Sequence, residues 1–310
     1  MAFTGHVRKR ETKSGFTTYQ IIVEEEMSCS NGKRKRYYKT IKGNKKEAER
    51  AMRQMITDLE NKTFVKDAKI TVKDFMHQWL DLYIKGQLSP TTVQHYIDQT
   101  ENYIIPAFGN QNIQQLRNID IQKWIFSLQT ASPLTGKPLS PKTIKNIWLN
   151  LSAAMKKAVM LELIPKNPCD NITLPKLERF HPEVYSMEEV AKLLECAKNT
   201  DMYLILMMEI CLGLWRGELL ALKWHHINFN EGILSVEENL VTIGKERITK
   251  APKTKSGVRE IQIPATLLEL LQQTKAERHA GENAYIICQA DGSPYKSDSL
   301  SLKFRRFLKA

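Results

Sequence analysis

Three prolines, Pro165, Pro168 and Pro175, fall within residues 164–177 and constrain this chain more than any other feature. Each lacks an N–H and pushes the residue before it out of helical conformation, so neither a helix nor a central strand can run through the stretch. A domain boundary is predicted there, with a further domain starting near Phe180. A chain of 310 residues has the length for two or three domains, and 42% hydrophobic with 26% charged residues is the balance of a folded protein. The longest apolar stretch, 202–215, is interrupted by Glu209 and falls short of the roughly 20 residues a bilayer requires. The N-terminus carries charge but no apolar signal segment, so the expected location is the cytoplasm. The five cysteines are odd in number, far apart and without a CxxC pair, which points away from a disulfide framework and from structural zinc.

The net charge of +12 is unevenly placed: residues 1–66 hold +8 of it. A basic module of this kind attracts polyanions, and counterion release from nucleic acid then supplies affinity. No RNP aromatics or GXXG loop favour RNA. Residues 16–23 (FTTYQIIV) and 36–41 (RYYKTI) read as strands around an Asn31-Gly32 turn, followed by a helix over 44–60 capped by Asn44. Ala48, Met52, Met55, Ile56 and Leu59 of that helix share one face. Lys33, Arg34, Lys35 and Arg36 sit at the turn, where a β-ribbon can enter a groove.

Beyond a charged linker at 61–69 the pattern turns helical. A helix is predicted over 72–84 with Phe75, Trp79, Leu82 and Tyr83 inward. A second, over 90–103, opens at Ser89-Pro90 and ends at Pro106. A short helix over 120–128 follows, and a long one over 141–161 reuses the same device at Ser140-Pro141. The last domain opens on a capping box, Ser186 with Glu189. Helices, short strands at 232–237, 240–243, 248–249 and 259–263, a helix over 267–274, a buried strand at 285–288 and a final helix over 297–310 complete it. Met187, Met202, Met207 and Met208 read as core filler. Tyr185, Tyr203, Tyr285 and Tyr295 are assigned to packing.

Two segments about thirty residues apart, 213–224 (GLWRGELLALKW) and 252–259 (PKTKSGVR), together with Ser89-Pro90-Thr91-Thr92 and Tyr96, resemble the tyrosine recombinases of the phage integrase type. The likeness covers essentially the whole chain. It implies an α+β, mostly α, protein of three parts. These are an arm-type DNA-binding domain at 1–64, with a small three-stranded β-sheet plus a helix; a four-helix, SAM-like core-binding domain at 70–168; and a mixed α/β tyrosine-recombinase catalytic domain at 180–310. Such an enzyme needs no cofactor: a tyrosine attacks a DNA phosphodiester and keeps the bond energy as a 3′-phosphotyrosine. Arginine forks hold the non-bridging oxygens and a lysine protonates the leaving oxygen. By this resemblance Lys253 is the general acid, and Glu218 orients the first catalytic arginine or its neighbours.

The sequence also departs from the family. Trp215 occupies the position of the first catalytic arginine, and a neutral indole N–H does not replace a guanidinium fork. Arg216, one residue on, is rotated by about 100° and should point elsewhere. The family's H-x-x-R segment and nucleophilic tyrosine are expected beyond Ala310, so the domain reads as truncated and defective in strand cleavage. His225-His226 do not read as a metal site, because adjacent histidines face differently and no third ligand is near.

Double-stranded DNA, at arm-type and core-type attachment sites, is the expected partner, with other recombinase subunits joining on it. The candidate contacts are Arg8, Lys33, Arg34, Lys35 and Arg36 in the first domain. In the second they are Thr91, Thr92, Lys142, Thr143 and Lys145 at helix starts. Three readings stay open: an integrase-type protein that binds attachment sites without cleaving them, a regulator that occupies those sites, and part of a competent recombinase.

Overall fold

The computed structural model describes residues 3–11, 17–25, 35–61, 64–65, 69–178, 181–244, 246–250 and 257–309. The chain divides into two compact units, Met1–Glu178 and Arg179–Ala310. Among the described residues no helix is long and apolar enough to cross a membrane.

The first unit opens with an antiparallel sheet in the order β1 (Phe3–Glu11), β2 (Thr17–Glu25), β3 (Arg36–Lys42). Helix α1 (Lys45–Glu60) starts from a full capping box: Asn44 Oδ1 accepts from Glu47 N at 2.9 Å, and Asn44 N donates to Glu47 Oε2 at 3.0 Å. Its Met55 and Leu59 are buried against Ile21 and Val23, Ala48 is buried on the same side, and Met52 and Ile56 pack at the edge. The helix comes so close at Gly5 that a Cβ there would stand 3.0 Å from Met52.

A helical module follows: α2 (Val72–Trp79), α3 (Pro90–Gln99), α4 (Ile105–Phe108), α5 (Asn118–Thr130) and α6 (Pro141–Met160). One core joins Phe75, Ile104, Ile121, Ile125, Ile147 and Leu151, and side chains as far along as Leu174 pack on it. Helices α2 and α3 both run into π-helical turns, at Leu80–Ile84 and Thr100–Ile104. The wider turn puts Leu80 and Ile84 inward and leaves Leu82 67% exposed, against the inward placement that a uniform 3.6-residue period predicts. Nor does Pro106 end the helix. It lies in the first turn of α4, where its missing N–H is one a helix start leaves unpaired, and the run continues to Phe108.

The second unit is built from α7 (Met187–Ala197), α8 (Met202–Leu212), α9 (Arg216–Ala221), α10 (Ala265–Glu277) and α11 (Ser297–Phe307). Strands β4 (Ile227–Asn228), β5 (Ile233–Val236) and β8 (Arg259–Gln262) form one antiparallel sheet, and β6 (Asn239–Ile243) with β7 (Glu246–Lys250) forms a separate hairpin. Helix α8 is apolar nearly all round and lies in the core with Leu219, Leu220, Trp224, Leu234 and Leu271. Residues 285–288 form no strand; isolated bridges pair Tyr285 with Lys223 and Cys288 with Pro294, while Ile286 and Ile287 are buried. Met187 is 79% exposed in the first turn of α7, and Tyr185 is exposed beside it, so neither packs as its composition suggests.

Candidate active site and nucleic-acid interface

Helix α8 ends at Gly213, whose φ of 58° turns the backbone left-handed. Leu214 is buried, and Trp215 caps α9 in extended conformation with its side chain 75% exposed. Three residues into the helix, Glu218 is 5% exposed and accepts three hydrogen bonds. Trp215 N donates to its Oε2 at 3.0 Å; Arg259 Nη1 and Nη2 donate to Oε1 and Oε2 at 3.0 and 2.8 Å. Burial pushes the Glu218 carboxyl up, but the guanidinium and the two sets of hydrogen bonds outweigh it and hold it below the usual carboxylate range. The same bidentate bond raises Arg259 above its ordinary value.

Arg259 opens β8, so one carboxylate ties the loop at 215 to the start of that strand. Lys253 itself lies outside the described residues. Gly217 lets β6 press against α9: a Cβ there would fall on Asn239 Oδ1 and lie 2.9 Å from Leu240 O. Arg216 points to α11, as its rotation about the helix requires. Its Nη1 donates to Ser301 Oγ at 2.5 Å and lies 3.9 Å from Asp298.

The two histidines serve the backbone. His226 Nδ1 accepts from Lys223 N at 3.0 Å, and His225 Nδ1 lies 3.2 Å from Glu282 O. Burial, then the neighbouring His225, lowers the His226 pKa. Among the described residues no group of three His, Cys, Asp or Glu is placed to hold a metal ion.

In the first unit the strand register collects a basic face. Arg8 stands across β2 Gln20, which stands across β3 Thr40; Arg10, Thr18 and Lys42 form the next row, and His6, Ile22 and Tyr38 the one before. These side chains lie on the face opposite α1, since Ile21 and Val23 between them point into the core. Arg36 is on the same face, 2.8 Å from Glu24, and Lys35 just precedes it with its ammonium 5.4 Å from the Tyr37 ring centroid. Lys33 and Arg34 lie outside the described residues. Period-2 alternation in T-G-H-V-R-K-R would have revealed β1 and added His6 and Arg10 to Arg8; that strand lies outside the two sequence-predicted ones.

The two Ser-Pro helix starts share Pro in the first turn but differ at the cap. Ser140 Oγ accepts from Thr143 N at 3.2 Å and pairs with its hydroxyl at 2.8 Å, while Ser89 Oγ bonds only the hydroxyls of Thr91 and Thr92, at 3.2 and 2.9 Å. Thr91 and Thr92 are half-buried, Lys142 is exposed and Lys145 half-buried. The Arg259 role was missed by sequence reasoning, although Arg259 closes the second quoted motif.

The phage integrase N-terminal SAM-like domain profile matches residues 71–129, and the phage integrase family profile matches 183–310. A "Tyrosine recombinase XerC-like" protein of Caldanaerobacter subterraneus subsp. tengcongensis is 31% identical over 279 residues, covering 84% of this chain and 69% of the relative. The Tn1549 transposon integrase, solved in complex with a circular intermediate DNA, superposes with a TM-score of 0.66 over 78% of both chains at 21% identity. A lambda integrase, from a tetramer bound to a Holliday junction, superposes with a TM-score of 0.60 over 97% of this chain and 83% of its own, at 18% identity. These two likenesses establish the shared fold.

Proposed function

This chain belongs to the phage integrase family of tyrosine recombinases, and we propose that it binds attachment-site DNA yet does not cleave it in the form given by this sequence. The observation that carries the reading is the exposed Trp215 on an intact frame. Glu218 braces the 215 backbone and Arg259 together, and the residue so presented is a neutral indole. Without a guanidinium there, charge developing on the non-bridging oxygens of a DNA phosphate loses one bidentate partner, a loss of several kcal/mol in transition-state stabilisation. By the family resemblance Lys253 takes the role of general acid in strand cleavage, and Glu218 acts as a positioning residue.

DNA binding is assigned to two modules, 1–64 and 70–168, with the catalytic domain at 180–310. The first uses Arg8, Lys33, Arg34, Lys35 and Arg36 at arm-type sites. The second uses Thr91, Thr92, Lys142, Thr143 and Lys145 at core-type sites. The helix N-termini that begin at Ser89 and Ser140 support the second assignment, since backbone N–H groups at a helix start suit phosphate. Partner subunits join on DNA, a reading supported by the lambda integrase tetramer on a Holliday junction. A regulator that occupies attachment sites is the second reading, and the same braced but uncharged position favours it.

The test is a nicked duplex that traps covalent intermediates, run on native and denaturing gels in parallel. The expected result is a shifted complex on the native gel and no protease-sensitive covalent adduct on the denaturing one. An adduct overturns the reading on cleavage, and the absence of a shifted complex overturns the reading on binding.

A further inference from the structure

From the solvent face of α1 we infer that the N-terminal module carries a second DNA-binding surface and bridges two duplex segments, an inference that rests on the DNA-binding reading of the module's sheet. The buried side of α1 is defined by Ala48, Met55 and Leu59. Diametrically opposite lie Lys46, Arg50, Arg53 and Thr57, all exposed, at the i, i+4, i+7 spacing of one helical stripe. Among the described residues none of the three cations has an ion-pair partner.

The nearby acids are otherwise engaged. Glu47 is held in the capping box, Glu49 faces Lys45 at 3.8 Å, and Asp58 accepts from Gln54 at 2.9 Å. Glu60 lies two turns beyond Arg53 at the helix end. The stripe is thus basic from Lys46 to Arg53, with neutral Thr57 next along it and Glu60 closing the same face.

Charge complementarity commits this face to a DNA backbone. Residues 46–53 span about 10 Å of helix axis, over which one strand of a duplex presents about three phosphates. The stripe and the Arg8–Arg10 face of the sheet are the two outer sides of one two-layer sandwich, because the apolar side of α1 seals the other side of the sheet. One duplex cannot lie flat on both. The helix side has no β-strand to enter a groove, so it grips phosphates without reading sequence, while the sheet holds a different segment.

The experiment uses the full chain held on an immobilised duplex and measures retention of a second, labelled duplex of unrelated sequence at several salt concentrations. The triple variant K46Q/R50Q/R53Q is expected to keep its affinity for the first duplex within about 2-fold. It should lose about 10-fold in retention of the second, with a salt slope shallower by about 3 units. Helical circular dichroism reports that α1 is still folded. Equal retention of the second duplex by variant and wild type overturns the proposal, as does an equal loss for both duplexes, which would make the stripe part of one continuous site. A change in self-association without DNA assigns the stripe to a second copy of the chain and also overturns it. The sheet variant R8Q/R10Q separates the premise: if it binds the first duplex as well as wild type, the DNA reading of the sheet has failed, whatever the stripe does.

Discussion

Replacing Arg259 with methionine tests the brace beneath position 215. The substitution removes two charge-assisted hydrogen bonds and leaves a carboxylate that is 5% exposed with the Trp215 N–H as its remaining donor. Breaking a buried pair from one side costs about 3–5 kcal/mol. The Arg259 side chain is 31% exposed, so water reaches the orphaned carboxylate and the lower end, about 3 kcal/mol, applies. For a unit of this size that is a fall in Tm of roughly 9 °C in the transition of residues 179–310.

The pH dependence distinguishes a charge effect from lost packing. In the wild type the Glu218 pKa is depressed on folding, so its stabilisation is present above the unfolded value of about 4.3 and is lost as pH falls through the folded value. In Arg259→Met burial is opposed only by the Trp215 N–H and raises that pKa relative to the wild type, so protonation relieves the variant as pH falls. The gap between the two proteins therefore narrows from pH 7 toward pH 4. Calorimetry at both pH values checks it. A gap that is the same at both, or a Tm fall below about 2 °C at pH 7, refutes the reasoning.

Gly217→Ala drives a Cβ into Asn239 Oδ1 and the Leu240 carbonyl, so it should cost about 1–3 kcal/mol by overpacking, read as a lower midpoint in urea. Asn150→Leu removes the amide that donates to Tyr96 O at 3.0 Å, beside the Thr100–Ile104 π turn. Because the Thr100 N–H still reaches Tyr96 O, a destabilisation of about 1 kcal/mol is expected from the lost bond, offset in part because Asn150 Oδ1 is itself buried without a partner among the described residues. Burial pushes the Cys169 thiol up to about 12, so iodoacetamide at pH 8 should leave it unmodified in the native protein while exposed Cys196 reacts; peptide mass mapping after quenching shows the order.

Local signals were the most legible in the sequence. Asn44, Ser140 and Ser186 each announce a helix start because a capping side chain bonds a backbone N–H three residues away, a relation that tertiary packing does not alter. The family, too, was legible from 213–224 and 252–259. Departures occur where a regular period is broken from outside the segment. The two π turns lie where the chain packs on other helices, Leu80–Ile84 on α3 and Thr100–Ile104 on α6, so Leu82 and Pro106 could not be placed from a uniform 3.6-residue repeat. Residues 285–288 look like a strand by composition, yet Ile286 N donates to a single carbonyl, Leu222 O, and no ladder forms. The pairing of Glu218 with Arg259 spans 41 positions, and no local pattern encodes it.

The central claim is that position 215 faces a DNA phosphate and lacks the charge to hold it. Its most direct test is the salt dependence of duplex binding by the wild-type chain and by Trp215→Arg, measured side by side. A restored phosphate contact predicts a plot of log K against log salt steeper by about 0.9 in the variant. Identical slopes, with both proteins folded and bound, would contradict the account.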